Sequence, residues 1–379
     1  MRGSLVRRGA KWVIIVDVGR DAKGRRKQRW HSGYQTKRDA SRALTEILGQ
    51  LQVGSYVEPS KQTVRQFANE WLDAVRPTIR NSTLASYRLN VVSYIVPRIG
   101  DVLLQQLTAS RLNKMYADLL TTGRHDGKSG LSTRTVGYVH TLVHRMLRDA
   151  IRWGRVTKNV ADQADPPRTR TRPPMKIWTA MELRAFLEHV AEDRLYAGWL
   201  LSASTGMRRG ELLGLRWFDI DLDGGRLSVV QTLIMVDYRL AFSTPKTARG
   251  RRSIALDAMT VMALRAHRAR QIEERLAWGG DYNPADLVFC REDGNPVRPD
   301  WFSTEFEHHV KAIGLSWIRL HGLRHTHASL ALAANVHPKV VSERLGHSTI
   351  AMTLDTYSHA IPALQEDAAE RVSRIVFGG

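Results

Sequence analysis

Two periods of hydrophobic spacing divide this chain. Trp12, Ile14, Val16 and Val18 alternate with their neighbours at a period of two, which only an extended strand presents to one face. KWVIIVDVG and KQRWHSG therefore predict β-strands on either side of the turn-prone RDAKGRRK, and TKRDASRALTEILGQL predicts a helix capped by Thr36. Together they suggest a small three-stranded sheet carrying one helix, with a disordered basic arm as the alternative. From Thr63 to Asn159 the spacing becomes helical. Leu84, Tyr87, Val91, Tyr94 and Ile95 fall at i, i+3, i+7, i+10 and i+11, one face of a helix capped by Ser82. Similar helices start near Thr63, Thr108 and Ser132, punctuated by PRIG, TTGRHDGKSG and Trp153-Gly154, so a four- or five-helix bundle is expected. Further on, a helix begins at Thr179 and a second runs through Leu200. RLSVVQTLIMVDYRLAFSTPKTARGRRSIAL then reads as hairpin strands, and helices resume from Asp257.

The connector VGSYVEPSKQ and the Pro- and Arg-rich DQADPPRTRTRPP, residues 162–174, mark the boundaries. The expected fold class is mainly α with small β elements, in three domains: a sheet-plus-helix module at 1–55, a helical bundle at 60–165 and a mixed α/β domain at 175–379. No internal repeat interrupts this plan.

Charge narrows the partner. With 57 Lys+Arg against 37 Asp+Glu the net charge is +20 and the pI near 10.5, which favours a polyanion, nucleic acid first. The excess is concentrated at the front, where residues 1–42 hold thirteen basic and three acidic side chains. Arg25, Arg26 and Lys27 in the first turn, and Arg168, Arg170 and Arg172 in the Pro-rich stretch, are candidate DNA contacts. That stretch reads equally as a plain linker. The lone Cys290 lies in the apolar run LVFC and reads as a small buried hydrophobe. No run of eighteen apolar residues exists and the N-terminus lacks the apolar core of a signal peptide, so a cytoplasmic protein without a membrane partner is expected.

The candidate chemistry lies near the C-terminus. Arg208 follows Thr205-Gly206 at an expected helix start, and Glu211 reads either as its brace or as a carboxylate placed by the helix dipole. His321 and Arg324, at i and i+3, project from one helix face toward a shared target. His325 and His327 crowd the same segment. Their spacing matches no usual zinc pattern, and they read as helix-face or core histidines, with a metal cluster as the alternative. His347 follows a glycine and should open a helix, and Tyr357 stands among Thr353, Asp355, Thr356, Ser358 and His359, a polar setting that suits an exposed phenol.

TGMRRGELLGLRW around Arg208, TPKT around Lys246, HGLRHTHAS at 321–329, LGHS around His347 and Tyr357 occur in one order, and in that order they resemble the tyrosine recombinases, the lambda-type phage integrases in particular. The resemblance covers residues 60–379. It implies that Arg208, Lys246, His321, Arg324 and His347 form a pocket activating a DNA phosphate, with Tyr357 as nucleophile. It further implies a 3′-phosphotyrosyl intermediate, reversed by a second strand's 5′ hydroxyl, without metal or other cofactor. Lys246 would protonate the departing oxygen, His321 would act as general base toward the phenol, and His347 would donate to the phosphate. The module at 1–55 resembles the arm-type DNA-binding domain of phage and integrative-element integrases. Double-stranded attachment-site DNA is the implied partner, and accessory DNA-bending proteins could join it. After Tyr357, Pro362 opens a segment in which Ala363, Leu364, Ala368, Val372 and Ile375 share a helical face. Such tails dock on a neighbour in this family, implying a homotetramer on DNA, though packing within the chain is equally compatible. The alternatives are a non-catalytic DNA-binding protein, a chromosome-resolving recombinase or a related topoisomerase.

Overall fold

Three antiparallel strands open the computed structural model, which describes residues 3–20, 24–54, 56–124, 129–168, 175–245, 250–357 and 372–378. β1 (Gly3–Arg8) and β3 (Arg26–Tyr34) flank β2 (Lys11–Arg20). The alternating residues of β2 face α1 (Lys37–Gln52): Ile14 and Val16 are fully buried, with Trp12 and Val18 packed at the rim. The Thr36 hydroxyl accepts the Asp39 N–H at 3.1 Å, capping α1. Arg26 and Lys27, expected in the turn, instead open β3. Arg26 pairs with Asp17, and the Lys27 ammonium lies 3.7 Å from Glu58.

The backbone divides into two units, Met1–Thr171 and Arg172–Gly379. The first holds this sheet module and a bundle built from α2 (Val64–Val75), α3 (Asn81–Asn90), α4 (Val96–Ile99), α5 (Ala109–Thr122) and α6 (Thr133–Arg152). Thr63, Thr108 and Ser132 cap their helices as their side chains dictate. Ser82 does not. Arg80 occupies the cap position of α3, its carbonyl accepting from Thr83 and Leu84 at 2.9 Å, so Ser82 lies inside the first turn. PRIG ends the helical run at Ile99, with Gly100 as the cap, but its proline does not. A wider π-type turn at Val91–Ile95 precedes α4, and Pro97 stands in the opening turn of that helix, where its missing N–H costs least. Leu84, Val91 and Ile95 all reach the core, beside Phe67, Trp71 and Met146. Asp149, almost wholly buried there, accepts the Trp71 indole N–H at 2.8 Å.

The second unit begins with α7 (Ala180–His189), closed by a Thr179–Glu182 capping box, and α8 (Tyr196–Thr205). α9 (Arg209–Leu213) leads into β4 (Ile220–Asp221), β5 (Arg226–Val229), the hairpin of β6 (Thr232–Val236) and β7 (Arg239–Ser243), and β8 (Arg252–Ala255). β8 passes over the hairpin to pair with β5, giving the order β4-β5-β8. α10 (Ala258–Trp278), α11 (Pro299–Ala312), α12 (His321–Ala333), α13 (Pro338–Leu345) and α14 (Ile350–Tyr357) complete it. Trp199 of α8 stacks on Phe302 of α11 at 4.1 Å between ring centroids, and Cys290 is buried as expected. The fold is mainly helical with small sheets. Among the described residues no helix is long and apolar enough to cross a membrane.

Candidate active site

α8 ends because Gly206 takes a left-handed conformation, φ +64°, which turns the chain sharply into Arg208 at the cap of α9. α13 ends the same way at Gly346, φ +66°. A helix C-terminus leaves carbonyls without intrahelical donors, and here guanidiniums take them. Arg324 donates to Gly206 O at 2.7 Å and Leu345 O at 2.6 Å, and Arg208 donates to Gly346 O at 3.2 Å. Two arginines far apart in sequence thus meet at the end of α13, and Arg324 also takes the end of α8.

Glu211 holds Arg208 together with a third arginine. Its carboxylate accepts the Arg208 backbone N–H at 3.0 Å and the Arg208 guanidinium at 2.7 Å, and it takes Arg252 of β8 at 2.8 Å. Burial would push this carboxyl up, but Arg252 first and Arg208 after it hold it below its usual range. The two sequence readings of Glu211, a brace and a helix-start carboxylate, describe one side chain. Arg252 went unrecognised in the sequence, because nothing in GRRSIAL separates it from its neighbour Arg251. Its Nε donates to Arg344 O at 2.5 Å, and with Lys339, Ser342, Gly346 and His347 it lines a cavity of about 310 Å³.

The histidines differ from expectation. His347 lies in the connection between α13 and α14 rather than on a helix, since the αL glycine before it turns the chain away from helical geometry. It is nearly buried, and its Nδ1 lies 2.8 Å from the Thr353 hydroxyl. Burial, then the charges of Arg324 and Arg208, lower its pKa to about 4. His321 and Arg324 stand on one face of α12 as the i, i+3 spacing requires. His321 keeps an exposed edge, while burial of its inner side and the two guanidiniums lower its imidazole to about 4. His327 is a packing histidine, its Nδ1 3.0 Å from Ala203 O of α8. His325 is not. Its Nδ1 lies 2.8 Å from the Tyr357 hydroxyl, a contact between α12 and α14 that no local spacing announces.

Tyr357, expected at the surface, is fully buried at the end of α14. His325 meets its hydroxyl and the His347 ring lies parallel to its own at 6.4 Å. Burial raises the phenol to about 12 against the opposing pull of Arg324 and Arg208, so the charges of both guanidiniums reach it. Lys246 and most of the tail after Tyr357, including Pro362, Ala363, Leu364 and Ala368, lie outside the described residues, as do Arg170 and Arg172. Arg25 and Arg168 are exposed, as are Val372 and Ile375. Among the described residues no three His, Cys, Asp or Glu side chains gather as metal ligands.

Three family models match. The phage integrase family aligns with residues 177–363, the phage integrase N-terminal SAM-like domain with 63–120 and an arm DNA-binding domain with 4–51. A tyrosine recombinase XerC-like protein of Caldanaerobacter subterraneus is 26% identical, covering 95% of each chain. The integrase of Streptomyces ambofaciens is 28% identical, covering 94% of this chain and 92% of its own. Among solved structures, the Tn1549 transposon integrase bound to a circular-intermediate DNA superposes with a TM-score of 0.68 at 21% identity, over 82% of this chain and 99% of that one. A lambda integrase dimer on a core site gives 0.55 at 18% identity, over 93% and 94%.

Proposed function

We propose a mechanism on the premise that the chain belongs to the phage integrase family of tyrosine recombinases and is an enzyme that breaks and rejoins DNA strands. Tyr357 attacks a DNA phosphorus, forming a 3′-phosphotyrosyl bond as the bond to the 5′ oxygen breaks; a 5′ hydroxyl from a second strand reverses the step. One phosphoester replaces another, so no external energy source is required. The observation that carries this reading is the enclosure of the phenol by His325 and His347 within reach of two guanidinium charges.

Arg208 and Arg324 would grip the nonbridging oxygens. Arg324, held by two helix-end carbonyls, and Arg208, held by one such carbonyl and Glu211, need little reorganisation to meet a phosphate, which is how fixed charge lowers a barrier. Arg252 joins them as a third cation, anchored by Glu211. His347, neutral and positioned by Thr353, can donate one ring N–H to the same oxygens. Lys246 remains the proposed general acid for the 5′ oxygen.

Integration or excision of a phage or mobile element fits the three-part plan: the module at 1–55 and the bundle at 60–165 bind DNA, and residues 175–379 carry the chemistry. Arg25, Arg26, Lys27, Arg168, Arg170 and Arg172 are proposed phosphate contacts. Arg26 and Lys27 would have to exchange Asp17 and Glu58 for the DNA. A homotetramer on attachment-site DNA, accessory bending proteins and action in the bacterial cytoplasm belong to the same proposal. The test is a nicked suicide duplex carrying the junction DNA beside the coding region. A covalent protein–DNA adduct is expected, lost in Tyr357→Phe and indifferent to EDTA. Retention of the adduct in that variant would remove Tyr357 as nucleophile, and binding without any adduct would leave only a DNA-binding protein.

A further inference from the structure

The tyrosine needs an acceptor for its proton. A phenol held near pKa 12 is un-ionised at rest, and its O–H must part with its proton as the phosphorus bond forms. The sequence points to His321. In the folded chain, however, His321 meets the ring of His325 edge-on, with 4.7 Å between centroids, and His325 stands between it and the tyrosine. His347 flanks the phenol ring in parallel, with its Nδ1 engaged by Thr353. Among the described residues, the side chain at hydrogen-bond distance from the phenolic oxygen is His325, through Nδ1 at 2.8 Å.

We propose that His325 is the general base of strand cleavage, taking the phenolic proton on Nδ1 as Tyr357 attacks. The inference rests on the reading of Tyr357 as nucleophile. In the step, the tyrosine O–H breaks and its proton passes to His325 Nδ1. The phenolic oxygen bonds to phosphorus, and the bond from phosphorus to the 5′ oxygen breaks, that oxygen being protonated separately. In the reverse step the imidazolium returns the proton to the departing tyrosine. The fold favours this assignment because His325 follows Arg324 directly on α12. The residue that grips the phosphate and the residue that receives the proton then move as one rigid element. The positive charge gained by His325 lies against the His321 ring and is felt by His347, and it adds to the charges of Arg324 and Arg208 that already reach the phenol. The negative charge growing on the phosphoryl oxygens offsets that crowding in the transition state.

The test uses the full-length protein and the nicked junction duplex in single-turnover cleavage, together with a duplex whose 5′ bridging oxygen is sulfur, a leaving group that needs no acid. His325→Asn places an amide where Nδ1 stands and keeps a hydrogen bond without taking a proton; His325→Gln is the second variant. Both are expected to cleave at least tenfold more slowly on both duplexes, to lose the acidic limb of the pH–rate profile, and to keep wild-type melting and affinity for the uncut duplex. Rates within twofold of wild type with an unchanged profile would overturn the proposal. So would restoration by sulfur, which would move His325 to the leaving-group side. Peptide mapping of the wild-type adduct separates the two readings: an adduct on another residue removes Tyr357, whereas an adduct on Tyr357 with normal His325 variants removes only the base.

Discussion

Glu211 organises the cationic side of the site. Its carboxylate is nearly buried and holds both Arg208 and Arg252, the latter also nearly buried. Removing one partner of such a cluster leaves uncompensated charge in a poorly solvated place. Glu211→Ala should therefore destabilise the protein by about 3–5 kcal/mol in urea denaturation, with Glu211→Gln milder because it keeps the shape. The histidines set a pH dependence of the opposite kind. His347 and His327 have folded pKa values near 4, below the usual 6.5, so between those limits the unfolded chain binds more protons than the folded one. Their contribution is intact above pH 6.5 and is lost as the pH falls toward 4. A tenfold drop in proton affinity on folding corresponds to about 1.4 kcal/mol, before solvent screening at their partly open edges. Denaturation midpoints at pH 7 and pH 5 should show the loss, and His327→Asn should flatten it.

Helix ends are what the elements contribute to the site. A Cβ on Gly206 would meet Leu345 at 2.7 Å and His327 at 3.0 Å, on a backbone that ordinary residues avoid. Gly206→Ala should cost about 1–3 kcal/mol and, by moving the carbonyl that holds Arg324, lower the cleavage rate more than DNA affinity. A comparison of kcat with Kd would distinguish this from simple unfolding. Much of the scaffold is legible in the sequence. Thr36, Thr63, Thr108, Ser132 and Thr179 announce their helices because capping is local chemistry, and Ile14 and Val16 announce their strand because alternation is local too. The misreadings share another origin. Arg80 rather than Ser82 takes the cap position of α3, where no side chain caps the helix, so no hydroxyl marks its start. Arg252 and His325 acquire their partners only when β8 passes over the hairpin and α14 folds back onto α12. No local spacing encodes either event.

At the scale of the whole molecule, each of the two units carries its own apolar core, one around Phe67 and Trp71, the other around Trp199 and Phe302. A protease acting between residues 166 and 174 should release two fragments that each melt cooperatively, as calorimetry would show. The charge of +20 makes a second demand. If the protein neutralises six or more phosphates, its affinity for DNA should fall about a thousandfold or more between 50 and 200 mM salt. A shallow slope would mean that only a small part of the basic surface meets the backbone. The closed position of Tyr357 bears on a hazard this charge creates, since so basic a protein meets DNA of every sequence. With its nucleophile interior, casual encounters should leave the duplex unbroken, and only a site whose fit uncovers the phenol while His325 stays at its oxygen should admit phosphorus to it. Selectivity then resides in a threshold for opening as well as in the bases recognised, and free protein should resist nitration at Tyr357 until its own junction DNA is added.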